Sequence, residues 1–232
     1  MVELDRLKDS TYPGRGIVIG LTPDGEHFTQ IYWIMGRSAT SRNRVFLPEG
    51  SAVVTAPVDK SQEVDPLTLY YPVKVIGNRH IVTNGDQTNT ILEALEQGGS
   101  FESALETRTF EPDGPIFTPR ISGITDLDDS YAYKLAVLKS VDHNPEHGLR
   151  QYFDFEAGIP GVGHCITTYL DDGDPPPSFS GEPFCVELFD ELDQTLASFW
   201  EILNQANKVA MLVKFIHRQS GESQLRIVNQ YG

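Results

Sequence analysis

Apolar residues fall in short alternating or continuous stretches, separated by glycine, proline and aspartate, along most of the chain. "GIVIGLT" at 16–22 predicts a buried strand, "PDGEH" a turn and "FTQIYWIMG" at 28–36 a second strand. Asp24-Gly25 between two apolar runs is a strong hairpin signal. "RVFLPEGSAVVTAP" predicts a hairpin turning at Pro48-Glu49-Gly50, and "LTLYYPVKVIG" and "HIVTNG" predict two more strands joined through Gly77-Asn78-Arg79. The period then changes. "QTNTILEALEQG" places Ile91, Leu92 and Leu95 near helical spacing and stops at Gly98-Gly99, and "SFESALETRTF" opens a second helix with Ser100 as N-cap. "EPDGPIFTPRISGI" is too rich in proline and glycine for a helix and predicts a structured loop leading into a strand.

The second half repeats the theme. "YAYKLAVLKS", "LRQYFDFEA", "VGHCITTYL" and "FCVELF" predict strands, and "DDGDPPPSFSGEP" a loop. "ELDQTLASFWEILNQ" is an amphipathic helix with Leu192, Leu196, Phe199, Trp200 and Leu203 on one face, and "KVAMLVKFIH" with "QLRIVNQ" closes as a hairpin turned by Ser220-Gly221. The first 18 residues are mixed in character and are expected at the surface. Strand runs, a helical pair, more strands, a helix and a last hairpin predict an α+β fold, an αββα sandwich of two antiparallel sheets with helices outside them. Leu192, Phe199 and Trp200 are expected to pack on a sheet face. Strands and helices do not alternate, which argues against a parallel doubly wound sheet. No internal repeat interrupts residues 1–232, and a single domain is expected.

Charge narrows the functions this fold can serve. The chain of 232 residues has a formal net charge of −15. Its first 120 residues hold 11 Lys/Arg and 16 Asp/Glu, and the remainder 7 and 17. Such a surface repels nucleic acid and anionic membranes. No apolar run approaches the roughly 20 residues that span a bilayer. The N-terminus lacks a signal-peptide pattern, and Cys165 and Cys185 form no metal-ligand spacing, so a cytoplasmic protein with two reduced thiols is expected. HExxH, CxxC, P-loop and GxGxxG patterns are absent from the sequence. "DDGD" at 171–174 lacks the later ligands of a calcium loop, and His143 and His147 lie in a segment expected to be a loop broken by Pro145. Neither a metal nor a cofactor is expected.

Against this background, positive charge concentrates in one turn. "RSATSRNR" at 37–44 packs three arginines, three hydroxyls and an asparagine into eight positions at a strand end. Guanidinium forks, hydroxyls and backbone N–H groups suit a phosphate or carboxylate, although a solvated turn pairing with local acids has the same composition. Thr83, Asn84 and Gly85 stand at a strand end before a helix, where N–H groups attract polar ligands; Asn-Gly is also a common tight turn, and Asp86 is a candidate N-cap. Glu111, Asp113 and Arg120 share a proline-rigid loop, which suits a base, a ligand clamp or a structural ion pair. His164 and Cys165 are adjacent in a strand, point to opposite faces and form no catalytic pair with one another.

Taken in order, five segments resemble the archaeal-type IMP cyclohydrolase family: "YPGRGIVIG" at 12–20, "RSATSRNR" at 37–44, "YYPVKVIGNRHIVTNGDQT" at 70–88, "EPDGPIFTPRISG" at 111–123 and "GHCITTYLDDGDPPPSFSGEPF" at 163–184. The resemblance implies a fold similar to the αββα sandwich of N-terminal-nucleophile hydrolases. It does not carry over their chemistry, because the chain starts Met1-Val2 with no terminal Ser, Thr or Cys. It implies a purine nucleotide as partner and the closure of 5-formamidoimidazole-4-carboxamide ribonucleotide to IMP with loss of water. A homo-oligomer is compatible with it.

That chemistry requires a clamp on the 5′-phosphate, a donor to the formyl oxygen and a group that moves protons. On the resemblance, Tyr70 is the donor, with Tyr71 its rival; Glu111 is the proton acceptor and Lys74 an electrostatic helper. Arg37, Ser38, Asn43 and Arg44 match the family's Arg-Ser and Asn-Arg pairs, here more widely spaced and with Arg42 added. Asn84, Gly85, Arg120 and His164 complete the substrate-binding candidates. A non-catalytic purine-nucleotide-binding or regulatory module on the same fold is the competing expectation.

Overall fold

The computed structural model describes residues 4–62 and 64–231. Met1 and Val2, on which the argument against a terminal nucleophile rests, lie outside the described residues. After a short helix α1 (Leu4–Asp9), strands β1 (Gly16–Leu21) and β2 (His27–Met35) form the predicted hairpin. Asp24 shapes its turn: the carboxylate accepts from Thr22 Oγ1 at 2.6 Å and from the Glu26 N–H at 2.9 Å. A single helical turn α2 (Ala39–Arg42) leads to β3 (Val45–Glu49), β4 (Ala52–Ala56), β5 (Val73–Ile76) and β6 (Arg79–Thr83). Helices α3 (Gln87–Glu96) and α4 (Phe101–Glu106) follow, then β7 (Arg120–Asp126), β8 (Tyr133–Val141), β9 (Asn144–Phe155), β10 (Val162–Thr167) and β11 (Phe184–Glu187). Helix α5 (Leu192–Ile202) and the hairpin β12 (Lys208–His217) and β13 (Ser223–Asn229) close the described chain.

The strands form two antiparallel sheets. One has six strands in the order β11-β10-β1-β2-β12-β13, and the other seven in the order β3 to β9. They face one another. Gln30 of β2 reaches across, its Nε2 donating to the His80 carbonyl of β6 at 2.9 Å and to Thr125 Oγ1 of β7 at 3.1 Å. Alternation along β2 sends Gln30 and Tyr32 between the sheets and Ile31 and Trp33 to the other face. Helix α5 packs on β12 and β13, with Leu192 and Phe199 buried and Trp200 against the same core, as the amphipathic pattern predicts. Helices α3 and α4 cover the outer face of the seven-stranded sheet through Ile91, Leu95, Phe101 and Leu105 on Ile81, Ile124 and Leu138. Ser100 caps α4 in a reciprocal pair with Ser103. No helix among the described residues is long and apolar enough to cross a membrane.

Several local expectations need correction. The opening segment is not superficial: Leu7 and Tyr12 are buried in the core. The strand expected over "LTLYYPVKVIG" is only Val73–Ile76, because Asp65 caps a 3-10 turn at Pro66–Thr68 and Pro72 delays the start. The segment around Pro145 is not a loop: β9 begins at Asn144, after a tight turn in which Asp142 and His143 take the left-handed conformation at φ 51° and 55°. Asp86 does not cap α3, since its carboxylate is drawn to Arg108 and Arg120.

The layer between the sheets holds an unusual cation. Lys214 of β12 stands opposite Gln30, is buried, and its Nζ has no hydrogen-bond partner among the described residues. Burial pushes its ammonium down to about 7, and the same burial, together with Lys214 itself, holds His80 down to about 3. A base whose folded value lies below its unfolded one destabilises the fold as pH falls from the unfolded value, near 10.5, toward the folded value. Lys214→Met is therefore expected to raise unfolding free energy at pH 7, by on the order of 3 kcal/mol, with the gain shrinking toward pH 10. Urea titrations at the two pH values check this; a loss of stability at pH 7 contradicts it.

Candidate active site

One end of the sandwich gathers polar side chains from six strand ends. Arg15 precedes β1, Tyr32 lies near the end of β2, Arg44 precedes β3, Tyr70 precedes β5, Glu111 stands in the loop before β7 and Tyr169 follows β10. Each is locked by its own local structure. Arg15 is pinned to the β10 exit, its N–H donating to Thr168 Oγ1 at 3.0 Å and its carbonyl accepting from the Thr168 N–H at 2.8 Å. Gly14 permits this approach: it has φ +73°, and a Cβ there would stand 2.2 Å from Thr168 Oγ1. Tyr70 is clamped by Thr55, whose N–H donates to the Tyr70 carbonyl at 2.9 Å while Thr55 Oγ1 accepts from the Tyr70 N–H at 2.9 Å. Glu111 donates its N–H to the Thr118 carbonyl at 2.9 Å. Asp113 braces that loop by accepting from the Thr118 N–H and hydroxyl.

The side chains converge on a buried, cation-rich cluster. Arg15 Nη2 lies 3.9 Å from Glu111 Oε2, and Asn84 Nδ2 is 3.5 Å from Glu111 Oε1. The Tyr32 and Tyr70 hydroxyls are 2.7 Å apart. Tyr169 hydrogen-bonds Thr118 Oγ1 at 2.8 Å and stacks on Tyr12 with ring centroids 5.8 Å apart. Arg44 is 1% exposed; its Nε donates to the Ser41 carbonyl at 2.8 Å, and its Nη1 has no partner among the described residues. Burial, then the like charge of Arg15, holds the Arg44 guanidinium below its usual value. Burial pushes Glu111 up to about 7 against the pull of Arg15, Arg120 and Arg44, with Asp113 adding to the rise. Burial also raises both Tyr32 and Tyr70, in each case against the pull of Arg15 and Arg44.

Among the residues singled out from sequence, the structure brings together Tyr70, Glu111, Arg44 and Asn84, with Arg120 and Gly85 alongside. Arg120 donates to Gln87 Oε1 at 2.8 Å and pairs with Asp86 at 2.6 Å. A Cβ on Gly85 would stand 2.7 Å from Arg120 Nη1, so glycine lets the guanidinium lie against the backbone. Arg37 is at the rim, its guanidinium over the Tyr12 ring at 4.6 Å, paired with Asp172 and donating to the Gly173 carbonyl at 2.8 Å.

Other candidates are committed elsewhere. The Ser38 hydroxyl caps α2, and Asn43 exchanges two hydrogen bonds with the Asp59 backbone. Tyr71 is turned to Glu49, at 3.2 Å. Lys74 pairs in register with Ile81, so it faces the helix layer, where its Nζ donates to Asn89 Oδ1 of α3 at 2.7 Å. His164 is held by the Tyr133 hydroxyl at 2.6 Å and stacks on Phe155 at 4.0 Å.

Sequence reasoning had not singled out Arg15, Tyr12, Tyr32 or Tyr169. A signal for Arg15 exists in its two flanking glycines, and one for Tyr32 in its parity with Gln30 on a mostly apolar strand. At the opposite end of β1 and β2, Asp24, Glu26 and His27 bring possible ligand atoms within 4.8 Å of one another. The Asp24 carboxylate already serves the hairpin turn, which accounts for the grouping.

A buried carboxyl pushed up to about 7, two guanidiniums and a tyrosine pair thus gather at one end of a two-sheet sandwich. Residues 12–221 match the model of the IMP cyclohydrolase-like protein family, and the chain belongs to that family. It is 31% identical over 162 residues to an IMP cyclohydrolase of Methanopyrus kandleri, covering 68% of this chain and 75% of that one. It is 29% identical over 122 residues to an IMP cyclohydrolase of Methanocaldococcus jannaschii and 28% over 124 residues to one of Methanococcus maripaludis. Those two alignments cover 52% of this chain and span 59% and 61% of the respective relatives.

Proposed function

We propose that this chain closes 5-formamidoimidazole-4-carboxamide ribonucleotide to IMP with loss of water. The observation that carries the reading is Glu111, a carboxyl buried beside Arg15 and pushed up to about 7, in a cluster that also holds Tyr70. A base works best when its pKa lies near the working pH. The carboxamide nitrogen attacks the formyl carbon, Glu111 takes the proton from that nitrogen, and Tyr70 donates to the formyl oxygen as it gains charge. Glu111 then returns its proton to the hydroxyl so formed, which leaves as water, while the former formamide nitrogen gives up its own proton to the Tyr70 oxygen as the ring C=N bond forms, so that both groups end as they began. Arg15 holds Glu111 and adds positive potential near the developing oxyanion. The αββα layering is read as similar to that of N-terminal-nucleophile hydrolases; helices outside each sheet support this reading.

Of the three arginines in the 37–44 turn, Arg44 is assigned the ligand's anionic group. Arg42 donates to the Gly36 carbonyl and Asn207, and Arg37 is paired with Asp172, whereas Arg44 keeps a buried N–H group unpartnered among the described residues. Arg44→Met is expected to weaken nucleotide binding by roughly 1.5–3 kcal/mol, the range for a hydrogen bond to a charged group. Titration calorimetry with IMP checks this, and unchanged affinity removes the assignment. The function itself is tested by IMP formation from the formamido ribonucleotide. Binding without turnover favours a non-catalytic purine-nucleotide-binding module.

A further inference from the structure

The Tyr32–Tyr70 pair contains one hydrogen bond and two protons. Among the described residues each hydroxyl has the other as its only side-chain partner. One phenol therefore donates to its neighbour, and the other is left with a proton to offer elsewhere. Tyr32 is 0% exposed, with its ring tilted against Phe46 at 5.6 Å, and has no other acceptor in reach among the described residues. Tyr70 is 5% exposed and shares the cluster with Arg15, Arg44 and Glu111.

We propose that Tyr32 is a positioning residue for Tyr70: its hydroxyl donates to the Tyr70 oxygen, so that the Tyr70 proton is the one directed at the formyl oxygen of the substrate. This rests on the reading of Tyr70 as the donor to that oxygen. As the Tyr70 proton moves toward the substrate, negative charge grows on the Tyr70 oxygen, and the Tyr32 hydrogen bond then becomes charge-assisted and stronger. The Tyr32 proton stays in place. Burial raises both phenols, Tyr32 well above an ordinary one, and Arg15 and Arg44 oppose the rise at each. The developing phenolate belongs to Tyr70 because Tyr70 is the phenol that meets the substrate, while Tyr32 is fully buried behind it.

The test is a double-mutant cycle with the full chain, using Tyr32→Phe, Tyr70→Phe and both together, with kcat and KM measured for IMP formation. Tyr32→Phe keeps the ring against Phe46 and is expected to lower kcat about ten- to a hundredfold, with KM within about twofold. In the Tyr70→Phe background the same change is expected to cost nothing further, because there is no phenol left to orient. The ultraviolet titration of the Tyr70 phenol is expected to move to higher pH in Tyr32→Phe. Equal losses from Tyr32→Phe in both backgrounds, the mark of a merely structural role, overturn the proposal. So does full activity in Tyr32→Phe. Full activity in Tyr70→Phe removes the Tyr70 assignment itself, a distinct outcome from the failure of Tyr32 alone.

Discussion

Glu111→Gln is expected to lower turnover about a hundredfold or more, the usual contribution of a positioned general base. Glutamine keeps the size and a hydrogen-bonding oxygen for Asn84 but takes no proton. The pH dependence identifies the group. A base acts when ionised, and burial sets the Glu111 midpoint at about 7, so the wild-type rate is expected to climb as pH rises through about 7. The variant lacks that climb. Stability moves the other way. The folded value stands above the ordinary 4.5, so the folded state holds its proton more tightly than the unfolded chain. Stability then falls as pH rises from about 4.5 through about 7 and stays lower above that. Glu111→Gln is therefore expected to be more stable than wild type above pH 8, by up to about 3 kcal/mol, with the difference fading toward pH 4. Rate profiles and denaturant titrations across pH 4–9 read both effects. Wild-type turnover with an unchanged profile in the variant removes Glu111 from the mechanism.

Tyr70→Phe is the second large expected effect. Removing one oxyanion donor typically costs on the order of a hundredfold or more in turnover. The Thr55 clamp grips the Tyr70 backbone, and the ring survives the change, so substrate binding is expected to stay within about twofold. Single-turnover kinetics separate the two quantities. Weakened binding with unchanged chemistry assigns the hydroxyl to substrate affinity instead.

Much of the fold is legible in the sequence because strand and turn chemistry is local. Asp24-Gly25, Ser100 and the face of α5 each announce an element within a few residues. Tyr70, Glu111 and Arg44 are polar groups at strand ends, where a ligand is normally met. What escaped was decided by sheet register and by partners far along the chain. Lys74 lies in an apolar run, and only its pairing with Ile81 and the burial of Val73 show that it turns to α3. Ser38 resembles a ligand-binding hydroxyl until its oxygen accepts the Ser41 N–H as the cap of α2. Arg15 enters the cluster through Thr168, 153 residues away, and Tyr32 through Tyr70, 38 residues away. No local pattern encodes either contact. The flanking Gly14 and the parity of β2 are their nearest traces.

The central claim, that this cluster closes a purine ring, is tested most directly by following IMP produced from 5-formamidoimidazole-4-carboxamide ribonucleotide near pH 7.5. Wild-type protein and Glu111→Gln are compared at equal concentration, with the binding of IMP to each measured in parallel. The account predicts catalytic formation of IMP by the wild type and a rate at least about a hundredfold lower in the variant, with binding retained. Nucleotide binding by the wild type without IMP above the spontaneous background, or equal rates in the two proteins, would contradict it.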